Sequence, residues 1–295
     1  MYFKKRYKIA VWTVSVSVGL VIMSAPILLG VYAPRKPYLI PLDQKVNNTM
    51  VLGLLIAFTF PALVEFSNHR WSRQVDRNIP RLLRDITEAV RSGITLPRAL
   101  EEASQRDYGP LSRELERTVS MFILGASWED SLMSLAQRLG RPSTLRFCTI
   151  LVEAHQTGGK MVEVLNASVT LFSSLDQYRE EQYSNMRPYM VTIYMAAVIF
   201  LIISHVVLYQ FLTPLCEASA GAAVKESGLL AGVLDINYYT SILFWASIIE
   251  SIFSGLIAGK MGERNLSAGL IHSVSLCIVA LLSFNITAVW TVAIQ

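Results

Sequence analysis

"EAHQTGGKMVEVL", residues 153–165, sets Gly158, Gly159 and Lys160 between two apolar runs. A glycine-lysine pair suggests a phosphate-gripping loop, and that reading would make the chain a nucleotide-using enzyme. Such a loop needs a further glycine five residues before the Gly-Lys pair and a Ser or Thr after it, so that backbone N–H groups and a hydroxyl reach phosphate and Mg²⁺. Those places hold Ala154 and Met161. A strand should also precede the loop, yet "LRFCTILVEA" (145–154) reads equally well as helix. The glycines need another explanation.

Comparing the chain with itself supplies one. "GITLPRAL" (93–100), "GASWEDSL" (125–132) and "GGKMVEVL" (158–165) each place Leu seven residues after Gly, and their starts are 32 and 33 residues apart. A glycine that ends a helix takes a left-handed conformation that is costly for other residues. Thr95 and Ser127 then stand where a side-chain oxygen caps the next helix. Pro97 suits a first helical turn, and Glu129 and Asp130 complement the positive helix start. Gly93, Gly125 and one of the pair Gly158 and Gly159 are therefore read as hinges, with Lys160 a solvated first-turn residue. Ile79, Leu82, Leu83, Ile86 and Val90 form an apolar stripe at helical spacing, and Met161, Val164, Leu165, Ser168, Phe172 and Leu175 form another. The expectation is three helix pairs: roughly 72–92 with 96–106, 110–124 with 128–139, and 142–157 with 160–187. "YGP" (108–110) and "GRP" (140–142) separate them. The last helix meets no breaker before Pro188 and is open to running on into the apolar stretch beyond it.

Outside this segment the chain is apolar. Hydrophobic residues make up 53% and charged residues 16% of 295, against about 25% charged in ordinary soluble domains, and that deficit points to a membrane. Five stretches, about 9–32, 48–66, 188–212, 237–259 and 266–293, are each close to or above the ~20 residues a helix needs to cross hydrocarbon. The first follows Lys4, Lys5, Arg6 and Lys8; its apolar core is longer than a secretory signal's, so it is read as an uncleaved anchor. The fold class expected is all-α: a polytopic membrane protein with about five transmembrane helices and a cytoplasmic six-helix bundle. Its parts are two N-terminal spans (1–66), the bundle (67–187) and three C-terminal spans (188–295). By the positive-inside rule the N-terminus and the bundle lie inside and the C-terminus outside. Lys260 and Arg264 in the last inner loop agree; Arg35, Lys36 and Lys45 in the first outer loop run against the rule.

Other chemistry finds little purchase. The segment 67–187 carries sixteen Lys/Arg and fifteen Asp/Glu, and that balance argues against nucleic acid as a partner. Cys148, Cys216 and Cys277 fall inside, outside and within the membrane, with no bridging pair and no metal-ligand spacing. Glycosylation sequons at Asn47, Asn166, Asn265 and Asn285 fall mostly where no glycosylation enzyme acts; Asn47 faces outward, against the membrane. No catalytic residue, metal site or cofactor is expected.

"IPRLLRDITEAVRSGITLPRAL", "YGPLSREL", "LGASWEDSLMSLAQRLG" and "EAHQTGGKMVEVL" together resemble the F domain of type II secretion and type IV pilus platform proteins, the family of GspF, PilC, TadB/TadC and the archaeal FlaJ. The resemblance covers about residues 75–185. Where GspF and PilC carry two F domains, this chain carries one, as TadB and TadC do; five spans with an outward C-terminus lean towards an archaeal pilus or archaellum-like system. The resemblance implies a platform without chemistry of its own, which sits over a hexameric secretion ATPase and contacts pilin subunits. It would couple ATPase motion to pilin insertion in the bilayer beside a second F-domain protein or further copies of itself. Arg81, Arg84 and Arg91 share one side of the first helix and Glu101 and Glu102 follow, which makes them candidates for the ATPase contact, against the plainer reading of a solvated helix face.

The rival classes are an intramembrane enzyme and a small transporter. His-Glu-x-x-His is absent, and no apolar stretch contains an Asp for aspartyl-protease chemistry. Glu250 lies mid-span, where charge is expensive, among Ser247, Ser251, Ser254, Gly255 and Gly259, whose small side chains pack helices closely. His272 falls at similar depth if the last two spans form a hairpin, as a partner for Glu250, and His205 is read as a helix contact nearer the outer side. Packing or pilin contact is the favoured role for Glu250, with transport as the alternative.

Overall fold

The computed structural model describes residues 5–32, 40–219, 235–263 and 265–294. Arg35, Lys36 and Arg264 of the orientation argument lie outside the described residues. The fold is all-α, with no strand among the described residues. In chain order the helices are α1 (Lys5–Leu28), α2 (Gln44–Arg91), α3 (Leu96–Ser104), α4 (Ser112–Ile123) and α5 (Trp128–Leu139). They continue as α6 (Pro142–Thr157), α7 (Met161–Val206), α8 (Thr213–Ser219), α9 (Ile236–Glu263) and α10 (Leu266–Ile294). A π-helical turn, Val207–Leu212, joins α7 to α8. Among the described residues, five helical stretches are long and apolar enough to cross a membrane. The chain is a multi-pass membrane protein.

Two compact units emerge. The first, Ser67–Asn185, is a helical bundle. Its sequence stripe becomes its core: Ile79, Leu82, Leu83 and Ile86 of α2 are fully buried, beside Leu96 and Leu100 of α3, Leu115 of α4, Leu132 and Leu135 of α5, and Phe147 and Leu151 of α6. The three leucines that follow the repeated glycines, Leu100, Leu132 and Leu165, all sit in this core. Each turn of the repeat thus returns the next helix with its apolar face inward. Neighbours in sequence are neighbours in space: α3 packs on α4, α4 on α5 and α5 on α6.

Two of the turns share one construction. After α2, the Gly93 N–H donates to the Val90 carbonyl (3.0 Å) and the Ile94 N–H to Ala89 (3.2 Å). After α4, the Gly125 N–H donates to Phe122 (3.0 Å) and the Ala126 N–H to Met121 (3.1 Å). These are the paired bonds of a Schellman stop, which needs a positive φ at the glycine. Gly93 has φ 95° and Gly125 φ 98°. The third turn differs: Gly158 has φ 54° and ψ −101°, and a tight 3₁₀ turn at Gly158–Lys160 leads straight into α7.

The caps differ too. The Ser127 hydroxyl accepts from the Asp130 N–H (3.0 Å) and donates to the Asp130 carboxylate (2.7 Å). Thr95, expected to do the same for α3, makes no side-chain cap bond. An N-cap oxygen accepts from the second or third helical N–H; Pro97 at the second position has none to give, and no bond from the third, Arg98, to Thr95 forms either.

A second correction concerns α2. The sequence suggested a span at 48–66 and a separate helix at 72–92; the structure has one helix over Gln44–Arg91. "SNHRWSRQ" (67–74) changes polarity but contains neither glycine nor proline, and backbone hydrogen bonding is indifferent to the polarity of the side chains. α7 likewise passes through Pro188 unbroken to Val206.

The second unit comprises Lys5–Phe66 and Met186–Gln295. Its apolar core draws Val51, Leu55 and Ala62 from α2, Leu201 from α7, Phe244 and Ile248 from α9, and Val274, Cys277, Ala280 and Phe284 from α10. Close approaches run through small residues. A Cβ on Gly53 would meet the Gly19 carbonyl and Met23 backbone of α1, and one on Gly259 would collide with the backbone of Gly269 on α10. The Ser15 hydroxyl of α1 donates to the Ile56 carbonyl of α2 (2.8 Å), and Ser273 of α10 donates to the Ile252 carbonyl of α9 (2.8 Å). Lys8 and Glu65 form a half-buried ion pair at 2.8 Å.

Candidate functional site

The repeat gathers its turns at one end of the bundle. An open groove of about 340 Å³ is lined by Gly93, Ile94, His155, Gly158 and Met161, so the first and third turns face it together. A cavity of about 220 Å³ is lined by Ile123 from the second turn, with Leu100, Val119, Phe122, Trp128 and Leu132. Thr95 and Pro97 border both. Trp128 is fixed by an edge contact with Phe122 (5.6 Å between centroids), a tilted contact with His155 (5.4 Å) and a bond from its indole N–H to the Leu151 carbonyl (3.4 Å). Gly159 and Lys160 are exposed in the third turn.

The candidate charged face is less unified than the sequence suggests. Arg81, Arg84 and Arg91 are all exposed along α2. Arg81 lies over the Tyr108 ring (5.6 Å to the centroid), while Arg91 donates to the Asn166 side chain (2.6 Å). Glu101 and Glu102 pair with Arg98 at 2.8 and 3.6 Å, a residue the sequence reading did not single out. Exposed pairs of this kind contribute little to stability, so the carboxylates are available to a partner.

Several polar contacts inside the bundle were not legible at all. The Tyr108 hydroxyl donates to Asp85 at 2.5 Å, with Arg106 3.3 Å from the same carboxylate. Burial, and then the bond to Asp85, hold that hydroxyl well above the usual tyrosine range, so it is a fixed donor. Arg138 pairs with Glu114 (2.6 Å) and donates to Thr118 (2.8 Å), and Asp76 is held by Arg141 and Ser143. These partners are 20 to 67 residues apart in sequence, and only the fold brings them together. Cys148 is fully buried and its thiol is pushed up to about 12 by that burial, so it is inert.

In the membrane unit the expected pairing of Glu250 with His272 does not form. One Glu250 oxygen accepts from Ser254 a turn away (3.0 Å), and the other is buried without a hydrogen-bond partner. His272 Nδ1 is instead bonded to the Tyr194 hydroxyl of α7 (2.7 Å). A phenol in reach on a third helix leaves the imidazole satisfied without the carboxylate. His205 meets Ser283 (3.3 Å) and the Phe284 ring (4.6 Å) on α10.

The sequon residue Asn47 is wholly buried rather than outward-facing. Its amide donates to the Pro41 carbonyl and the Ser241 hydroxyl (both 3.0 Å), and its oxygen accepts from the Trp245 indole (2.9 Å). Asn48 and Asn285 exchange bonds at 2.6 and 3.3 Å. Amides held this way pin α2 against α9 and α10. The only sequence hint was two adjacent asparagines opening an apolar run.

Residues 82–209 match the family model for type II secretion system protein F. Over these residues the chain is similar to the F domain of that family. The match starts inside α2, takes in every turn of the repeat and ends in the π-helical turn, so it includes most of the α7 apolar stretch. An uncharacterized protein of Methanocaldococcus jannaschii is 25% identical over 239 residues, which cover 81% of this chain. This chain spans only 38% of that relative's length. No solved structure matches at a significant level.

Proposed function

We propose that this protein is the inner-membrane platform of a type IV pilus-like, archaellum-like or type II secretion assembly machine. Its bundle engages a hexameric cytoplasmic secretion ATPase, and its spans contact pilin subunits and pass them into the fibre. A second F-domain protein or further copies of this chain complete the platform. The N-terminus and bundle lie on the cytoplasmic side and the C-terminus outside, in keeping with the basic N-terminus. The relative from an archaeon supports the archaeal lean. Arg81, Arg84, Arg91, Glu101 and Glu102 form the ATPase-facing charge, and the half-satisfied Glu250 is the intramembrane contact, with His272 supporting α7 beside it. The alternative, a transporter using Glu250, has a single mid-membrane carboxylate and no relay partner among the described residues in its favour.

The observation that carries the platform reading is the continuity of α2 and α7. Each runs from the bundle into an apolar stretch as one helix, without an intervening loop. The test inserts Gly-Gly-Ser after Phe66 and after Asn185 in the source cells. Membrane insertion and ATPase binding are expected to persist while fibre assembly falls at least tenfold. Wild-type assembly with both insertions present refutes coupling through these helices.

A further inference from the structure

We propose that two imidazole–hydroxyl bridges pin α7 and α10 in one register, so that α10, with α9 interlocked to it, takes up any displacement that α7 carries. The inference rests on the proposed coupling through α7 for its use, and on the membrane unit alone for its geometry.

The two bridges are matched. The Tyr194 hydroxyl of α7 meets His272 Nδ1 of α10 at 2.7 Å, and His205 Nε2 of α7 meets the Ser283 hydroxyl of α10 at 3.3 Å. Each joins residues 78 apart in the chain, so the two helices run parallel and equal steps along one answer equal steps along the other. About three helical turns, roughly 16 Å, separate the rungs. The His205 ring is itself held. Its Nδ1 donates to the Leu201 carbonyl one turn back (2.7 Å), and the ring lies against Phe284 (4.6 Å between centroids), which presents Nε2 to α10.

Packing by itself leaves the register of α7 open. α9 and α10 interlock through glycine: a Cβ on Gly255 would strike Ser273, and one on Gly259 would strike Gly269. α7 contains no glycine. Its buried positions in the membrane unit are Ala197, Leu201 and Ser204, and the Ser204 hydroxyl bonds back to Phe200 of its own helix. Its approach to α9 is the Met190 side chain against Gly262, a flexible thioether that adapts to a shift. Aliphatic side chains gain little by leaving lipid for one another, so such a seam tolerates sliding. The bridges do not. A slip of one turn sets His272 against Met190 and Val191, or against Ala197 and Val198, none of which offers a hydroxyl. Hydrocarbon holds no water to replace the lost bond.

α10 also exchanges the Asn285–Asn48 bonds with α2, so both helices that run out of the bundle are bonded to it. That convergence makes α10 the receiving helix of the membrane unit.

The test reads register directly. The full chain with Cys216→Ser, Ile202→Cys and Leu282→Cys is spin-labelled at the two half-exposed positions and placed in lipid nanodiscs, the other cysteines being buried. Pulsed electron–electron resonance is expected to give one narrow distance. Tyr194→Phe with Ser283→Ala is expected to add a population displaced by about 5 Å, one helical turn, at least tenfold above its level in the parent. Tyr194→Phe alone is expected to give a smaller displaced population, so a double variant that fails to fold does not hide the answer. Exchanging the pair, Tyr194→His with His272→Tyr, keeps a phenol–imidazole bridge and is expected to keep the single distance. An unchanged distance in both Phe variants, or an exchanged pair that slips as far as Tyr194→Phe, overturns the pins. In the source cells the double variant, at normal accumulation, is expected to cut fibre assembly at least tenfold; wild-type assembly overturns the role given to α10. Slip in nanodiscs beside assembly that ignores the linker insertions leaves the pins standing and removes the platform coupling instead.

Discussion

Glycine is used in two opposite ways in the two units. In the bundle, Gly93, Gly125 and Gly158 have positive φ, and a Cβ added to any of them would meet nothing within 4 Å. In the membrane unit, Gly53, Gly255, Gly259 and Gly269 lie within α-helices, and an added Cβ would strike the backbone of a facing helix. The first set is chosen for backbone conformation and the second for closeness. The solvents explain the division. In water, large aliphatic side chains gain by leaving solvent, so the bundle fills its core with leucine and isoleucine and needs glycine only where helices must stop. In lipid that gain is absent between helices, and close contact of backbones and buried serines holds them together.

The contrast is most exposed to failure at Gly259. Gly259→Leu is expected to abolish accumulation of folded protein, read as a monodisperse peak of a fluorescent fusion in detergent, because even its Cβ collides with Gly269. Normal accumulation would mean that α9 and α10 are not closely apposed. Gly93→Val is expected to cost about 1–2 kcal/mol or somewhat more from left-handed strain, with the protein still folded. Gly159→Ala, free of both constraints, is expected to leave the melting temperature of the full chain unchanged. A Gly93→Val variant as stable as wild type would remove the conformational half of the comparison. The caps give the finest resolution. Ser127→Ala is expected to cost about 1 kcal/mol and Thr95→Ala less than about 0.5 kcal/mol, compared by denaturant unfolding of the bundle signal. Equal costs would show that Thr95 caps α3 after all.

The bundle was the more legible unit because its punctuation is local. Glycine stops, Pro97 and Pro142 at helix starts, and leucines seven residues on from each glycine are visible within a few residues of one another, and the helix ends fall within a few residues of those signals. The family pattern rode on the same residues, which is why the resemblance was recognisable. The continuity of α2 was hidden because a change from apolar to charged side chains looks like a boundary while leaving the backbone ladder untouched. The partners of Asp76, Asp85, Asn47 and His272 were hidden for a different reason: each is chosen by three-dimensional proximity among many plausible polar residues. At the candidate site the sequence named the glycines, the arginine stripe and, of the cavity's lining, Thr95, Pro97 and Glu101, yet gave no warning of the cavity itself, because Leu100, Val119, Phe122, Trp128 and Leu132 read as ordinary core positions.

The uninterrupted course of α2 and α7 also bears on the unfolded chain. Val51, Leu55 and Ala62 of α2 share one membrane core with Leu201 of α7. While that core stands, an unfolded bundle is a closed loop whose two ends cannot diffuse apart, much as if a covalent cross-link joined them. Closing a loop of about 100 residues removes on the order of 4–5 kcal/mol of chain entropy in the simple polymer treatment. The joined ends therefore favour the folded bundle through the unfolded state alone, and the same bundle cut free of the apolar helices has a larger disordered ensemble competing against it.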